Sequence, residues 1–503
     1  EQAQASALRQ RAVATSSNAP GLESAQEKAN GSAATGADTS SSPSSSVSVS
    51  SSTFFDLDVA PPLGPRPLSK VLSGYLTLAV VYAFSAYFSL TVGLSMLVAD
   101  FKKKKEKKKT QSSRSRPPLP NPETQREAAV ASEPGIEGVE VTHEFIEVPV
   151  YPDEADDEKR SAAGTGTTTA KKTTSLHLAR AGVDPGRRAV LFLHGFPECW
   201  LSWRRVMKPL VEAGYEVAAL DMRGYNLSGK LGFDDGEGEG EGGARKFSLS
   251  KFLPSSAETL AAFDVGALAA DARAAAVHLS GPSRRMVTLV SHDWGGAVAW
   301  HAASVDSAAA RGAATPRLFD ALVTMAIPHP LLFQQNMKWE QAKRSWYVAF
   351  FQAPYFPERM MAGDDAAAIR AMLPRRTDEE QKQAEEIADA FTRPGAATAA
   401  INYYRASVRA VGTGPLSRSG ARAARALRGG VDVPCLSLYA ARDSALGVEL
   451  LAGTERFCHA GVEIKILDSG HWIQLEKAKE CAERTLGFLE RTGGNRAKIS
   501  ERA

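Results

Sequence analysis

The chain has 503 residues, a formal net charge of +3, 43% hydrophobic and 23% charged residues. That length exceeds one ordinary core and predicts either several domains or one large domain with added segments. The small net charge gives no basis for nucleic-acid binding.

The chain starts at Glu1 rather than Met, which predicts a processed or missing start. Residues 1–69 are rich in Ser, Ala, Gly and Pro, with TSSSPSSSVSVSSS at 39–52. So little apolar side chain predicts a disordered low-complexity segment. Residues 71–99 form a run of 29 without a charge. A membrane-spanning helix needs about 20, and Tyr75, Tyr82 and Tyr87 suit such a span. KKKKEKKK follows at 102–109. Basic residues mark the cytosolic end of a span and can hold anionic headgroups. The expectation is a single-pass protein of the endoplasmic reticulum with its C-terminal part in the cytosol. Residues 100–138 read as a basic, polar linker.

From residue 139 the pattern changes. EVTHEFIEVPV (140–150) alternates like a strand, and SLHLARAG (175–182) suits its hairpin partner. RRAVLFLHG (187–195), YEVAALD (215–221), MVTLVSH (286–292), ALVTMAI (321–327), PCLSLYA (434–440) and VEIKILD (462–468) read as strands buried on both faces. Helical stretches such as 259–279 and 473–491 separate several of them. This alternation predicts an α/β fold, a mostly parallel sheet with helices on both faces. The core would run over 139–330 and 431–495. Residues 331–430 exceed any simple crossover and are dense in aromatics. They read as a helical cap over the sheet's carboxyl edge, where such sheets bind ligands. Cys199, Cys435, Cys458 and Cys481 have no C-x-x-C spacing. Neither a zinc site nor a disulfide framework is indicated, and a reduced compartment is expected.

The chemistry centres on SHDWGG (291–296). A strand before it and a helix of small residues after it make a nucleophile elbow, where hydrolases usually carry Ser. Here the position holds Asp293. A carboxylate, already ionised at neutral pH, is a poor nucleophile toward an amide. It is an adequate one toward a saturated carbon with a strained leaving group, and attack would leave an ester. Hydrolysing that ester needs a base. His471, after the last strand, and Asp443, after the preceding one, follow in the order nucleophile, acid, histidine. Asp443 would orient and charge-stabilise the imidazole. The N–H groups of Phe196, in HGFPE, and of Trp294 would form the oxyanion hole.

HGFPECWLSWR (194–204), LDMRGYNLSG (220–229), SHDWGG, AIPHP (326–330), SWYVAFFQAPYFPE (345–358) and INYYRA (401–406) resemble the epoxide hydrolases of the α/β-hydrolase superfamily. The resemblance spans about residues 140–490, and the apolar run before it resembles the membrane-anchored branch. It implies an α/β-hydrolase fold with no cofactor and no metal. It also implies that Tyr347 and Tyr404 polarise the epoxide oxygen, because ring opening develops charge that a phenol can meet. Trp346, Phe351 and Trp472 would line the substrate pocket. The expected partners are a small lipophilic epoxide and membrane lipid. Asn226 departs from the family, which often has Gly there. Two rivals stand beside this reading. One is a haloalkane-type dehalogenase with the same Asp nucleophile, although HGFP lacks Asn after HG. The other is a non-catalytic, membrane-tethered binding protein on a hydrolase fold.

Overall fold

The computed structural model describes residues 83, 122–151, 172–231, 255–312 and 316–500. The segment 1–69 lies outside them. So do the uncharged run 71–99, apart from Ala83, and most of the inserts at 151–174 and 230–256. Among the described residues no helix is long and apolar enough to cross a membrane.

Eight strands form one sheet: β1 (Val141–Pro149), β2 (Thr173–Ala181), β3 (Ala189–Leu193), β4 (Glu216–Leu220), β5 (Val287–His292), β6 (Phe319–Met325), β7 (Cys435–Ala440) and β8 (Val462–Leu467). Their spatial order is β1-β2-β4-β3-β5-β6-β7-β8. β1 and β2 form an antiparallel hairpin, β2 pairs antiparallel with β4, and every later pair is parallel. β3 to β7 are buried along their whole length, as apolar runs in a covered sheet must be. β8 departs from that expectation. It is the edge strand, and most of its residues keep partial exposure.

Helices Val265–Ser280, Asp293–Gly312 and Arg418–Arg428 pack together, while Arg204–Glu212 packs with Ala478–Ser500. The helix expected over 259–279 is two, Ala257–Ala261 and Val265–Ser280. Asp264 breaks it: its carboxylate accepts the Gly266 N–H at 2.9 Å as a helix N-cap and also the Leu416 N–H. The stretch 473–491 likewise divides, into Ile473–Glu476 and Ala478–Ser500. The expected cap, 331–430, also ends differently. Its last helix, Arg418–Arg428, packs on the core helices Val265–Ser280 and Asp293–Gly312, so the excursion over the sheet closes before it. Small residues allow that contact. A Cβ on Gly266 would meet the Gly420 nitrogen at 2.2 Å.

Asn226 has a positive φ of 40°. That is the left-handed region, which Gly enters freely and Asn more readily than most residues. The side chain has further work there. Its Nδ2 donates to Asp221 at 2.9 Å and to Glu133 at 3.2 Å, and its Oδ1 accepts from Arg393 at 3.0 Å. Asn226 thus links core, linker and cap.

Gly266→Ala is expected to lower stability by about 1–3 kcal/mol, the usual cost of overpacking. Thermal denaturation checks this, and an unchanged midpoint would contradict the close helix approach.

Candidate active site

β5 ends at His292, and the next helix starts at Asp293 with a φ of 47°. A positive φ on aspartate is strained, and the surroundings must hold it. Two glycines allow the chain to close around it. A Cβ on Gly195 would meet the Asp293 Cβ at 2.6 Å, and one on Gly295 would meet the Leu193 carbonyl oxygen at 2.2 Å. The elbow therefore presses against the HGFP turn after β3. There the Phe196 N–H donates to Asp293 Oδ1 at 2.9 Å. Trp294 is the next residue of the helix, whose first N–H groups have no partner within the helix.

Asp293 Oδ2 lies 3.7 Å from His471 Nε2. His471 Nδ1 lies 2.8 Å from Asp443 Oδ2. The other oxygen of Asp443 accepts the N–H groups of Ala445 and Leu446, both at 2.8 Å, which fixes the carboxylate. The three expected residues, from three separate loops, thus meet in one row. Burial works against a charged His471. The Asp443 charge and hydrogen bond, helped by Asp293 and Glu198, outweigh it and raise the imidazole to about 9.

The two tyrosines lie within reach of the Asp293 charge. Tyr404 is buried and Tyr347 partly so, with ring centroids 5.8 Å apart and an edge-on orientation. Loss of water pushes both phenols well up, and the Asp293 charge adds to the shift in each. Both therefore remain O–H donors. The Trp294 ring stands edge-on to the Tyr404 ring, with centroids 5.1 Å apart. Tyr403, its neighbour in NYYR, serves a different end: its hydroxyl donates to the Arg223 carbonyl at 2.8 Å. Of the expected pocket residues, Phe351 is central, with ring centroids 5.4 Å from Phe196 and 4.9 Å from Tyr404. Trp472 stands edge-on to His471 at 5.2 Å. Trp346 is 45% exposed, and its ring neighbour is Phe350 at 6.1 Å, so it sits at the rim.

Two further groups hold this arrangement, and neither was singled out by motif. His292 Nε2 lies 3.0 Å from the His471 carbonyl oxygen, and its Nδ1 lies 2.9 Å from Glu198. Glu198 also accepts from the Gly195 N–H at 2.9 Å and from Gln474. Burial alone would raise Glu198, but the His292 charge and bond and the Gly195 N–H hold it below the usual carboxylate range. Their segments, HGFPE and SHDWGG, were visible in the sequence; the pairing across 94 positions was not. Arg405 forms the second brace. It donates to the Phe351 and Ala353 carbonyls at 2.9 and 2.6 Å and pairs with Glu358 at 2.6 Å. It thereby fixes the helix carrying Tyr404 against the helix carrying Tyr347. Its place directly after Tyr404 in NYYR was the available signal.

His471 gives the molecule a pH dependence. Its folded pKa is raised above the ordinary 6.5 to about 9. Its stabilisation is therefore complete below about pH 6.5 and is lost as pH rises through 9. Denaturant melts across this window are expected to show a fall that His471→Gln removes. Arg405→Lys, which cannot reproduce the fork, is expected to cost about 1–3 kcal/mol, read in the same melts.

Residues 188–478 match the family described as alpha/beta hydrolase fold. AB hydrolase superfamily protein YfhM of Bacillus subtilis (strain 168) is 31% identical over 321 residues, covering 63% of this chain and 94% of that protein. Epoxide hydrolase 1 of Caenorhabditis elegans is 27% identical over 333 residues, covering 64% of this chain and 69% of its own. Epoxide hydrolase 4 of Mus musculus is 27% identical over 313 residues, covering 60% and 72% respectively. The matched span contains the elbow, the histidine, its acid and both braces, and takes in more than half of the sequence: the chain belongs to the alpha/beta hydrolase fold family.

Proposed function

We propose that this chain hydrolyses lipophilic epoxides to vicinal diols through an ester on Asp293. The observation that carries the reading is the pair of phenols, Tyr404 buried and Tyr347 partly so, set edge-on to each other among aromatic rings and within reach of the Asp293 charge. Similarity to proteins named epoxide hydrolase supports it. A dehalogenase needs N–H donors for halide, whereas the paired groups here are the O–H donors of Tyr347 and Tyr404.

Phe196 occupies Asp293 Oδ1, which leaves Oδ2 as the attacking atom. Oδ2 bonds to an epoxide carbon as the ring C–O bond breaks, and a tyrosine hydroxyl gives its proton to the developing alkoxide. The new ester has lost the Asp293 charge. Since that charge helps raise His471, esterification lowers the imidazole pKa, so the ring releases its proton to solvent, stands neutral for the next step, and regains a proton from solvent once the Asp293 carboxylate is restored. His471 then takes a proton from water, and the hydroxide adds to the Asp293 Cγ. Phe196 and Trp294 N–H groups hold the oxyanion on Oδ1. Collapse breaks the ester bond, and His471 returns its proton to the departing diol oxygen. The carboxylic acid left on Asp293 restores the tyrosine proton. In this scheme the uncharged run 71–99 anchors the enzyme, and the basic run at 102–109 keeps the hydrolase part on the cytosolic side.

A single turnover in ¹⁸O-labelled water tests the chemistry. The label is expected in the Asp293 carboxylate, with none in the first diol; label in that diol would mean direct water attack. His471→Gln is expected to accumulate substrate-linked protein, detected by intact mass, while Asp293→Ala gives neither adduct nor diol. Halide release from haloalkanes without diol formation would move the assignment to the dehalogenase reading.

A further inference from the structure

The segment that carries Tyr347 also carries the exposed tryptophans among the described residues. Trp339 is 72% exposed, Trp346 45% and Met337 38%. Exposed tryptophans are uncommon on a surface in contact with water alone, because each leaves a large apolar ring unburied. These two are seven residues apart. They stand on consecutive short helices, Trp339–Arg344 and Trp346–Phe350, joined at Ser345 with φ −85° and ψ 14°. That junction lies outside helical geometry, so the chain turns between the two helices, and both leave an indole exposed. Between the two indoles the segment is fastened inward. Gln341 is buried, donates to the Ala445 carbonyl at 2.7 Å and accepts the Gly447 N–H at 3.0 Å.

Charge stands beside Trp339. Lys343 lies over the Trp339 ring at 5.6 Å and 3.0 Å from Glu340, and Lys338 precedes it. An exposed indole with a lysine over it suits the headgroup level of a bilayer, where an amphipathic ring finds both an apolar and a polar neighbour. The same chain holds the uncharged run 71–99 and the basic run 102–109. At about 3.3–3.6 Å per residue, the linker 100–121 keeps the hydrolase part within about 80 Å of that run. Inward from Trp346, the rings continue to Phe350 at 6.1 Å, from Phe350 to Phe351 at 5.9 Å, and from Phe351 to Tyr404 at 4.9 Å.

We propose that the face formed by Met337, Trp339 and Trp346 docks on the surface of a lipid bilayer. A lipophilic substrate then passes from the membrane along the Phe350–Phe351 rings to the catalytic tyrosines. The docking surface stands on its own geometry; the substrate path rests on the proposed epoxide hydrolysis.

The test uses the full chain in vesicles of phosphatidylcholine and phosphatidylserine, with bromine on the upper part of the phosphatidylcholine acyl chains. The sequence has seven tryptophans. Trp200, Trp203 and Trp300 are fully buried, and Trp294 and Trp472 belong to the site. Bromine quenching therefore reads Trp339 and Trp346. The intact chain is expected to show a quenched component of its emission. Trp339→Phe, which keeps an apolar ring, should leave Trp346 quenched, and Trp339→Glu should abolish the component. The Glu variant is also expected to raise KM several-fold for a lipophilic epoxide delivered in vesicles, with KM unchanged for a water-soluble one. No quenching in the intact chain, or equal quenching in Trp339→Glu, overturns the docking. So does a concentration-dependent doubling of mass that shields these tryptophans without bromine quenching, since a second copy would then cover the face. Quenching requires no turnover, so a chain that docks but forms no diol would retain the surface and lose the reaction.

Discussion

His471 sits between two carboxylates in a site with little access to water, 2.8 Å from Asp443 and 3.7 Å from Asp293. Removal from water disfavours its charged form, and the Asp443 charge and hydrogen bond, helped by Asp293 and Glu198, favour it. The rest of the site maintains that balance. The strained elbow presents Asp293, and the paired N–H groups of Ala445 and Leu446 prevent Asp443 from turning away. The His292–Glu198–Gln474 group holds the backbone of His471 from behind. Each part is a local solution, but together they determine one charge state. A reaction that neutralises Asp293 changes that state at the moment a base is required.

The helices above the sheet are positioned with similar economy. The Arg223 guanidinium is buried, bonding the Pro149, Val150 and Ala262 carbonyls and Asp271. Its own carbonyl is thereby fixed and receives the Tyr403 hydroxyl. Because consecutive helical residues point about 100° apart, anchoring Tyr403 on the core directs Tyr404 toward Asp293. Arg405 continues the sequence by tying the same helix to the turn after Tyr347. Three successive side chains therefore perform three distinct tasks: anchoring, facing the nucleophile and bracing.

Much of the fold was legible because it is written locally. Strands β3 to β8 appeared as apolar runs, β1 and β2 as an alternating stretch and its hairpin partner, and the elbow as a strand, an aspartate and a helix of small residues. Asp293, Asp443 and His471 could be aligned from order alone, since each ends a strand. What was not legible depends on partners remote in sequence. Glu198 acquires its place only when Gln474, 276 positions away, reaches it. Arg418–Arg428 looks like any amphipathic helix, and its packing on Val265–Ser280 and Asp293–Gly312, with Gly266 against Gly420, assigns it to the core. The break at Asp264 was visible as a capping residue, yet a continuous helical pattern on both sides concealed it. The partial exposure of β8 follows from its place at the sheet edge, which no single strand encodes.

The helical excursion that holds Tyr347 and Tyr404 leaves after β6 and returns before β7, and these two strands are direct neighbours, Leu322–Met325 pairing with Cys435–Leu438. Departure and return therefore lie side by side. Loop-closure entropy grows only slowly with length, so the sheet bears nearly the same cost for a short or a long excursion there. The charged row below is assembled entirely from loops outside that doorway. Descent with modification could then rewrite the upper storey, its rings, its outward indoles and its choice of guest, without disturbing the register of a single strand beneath.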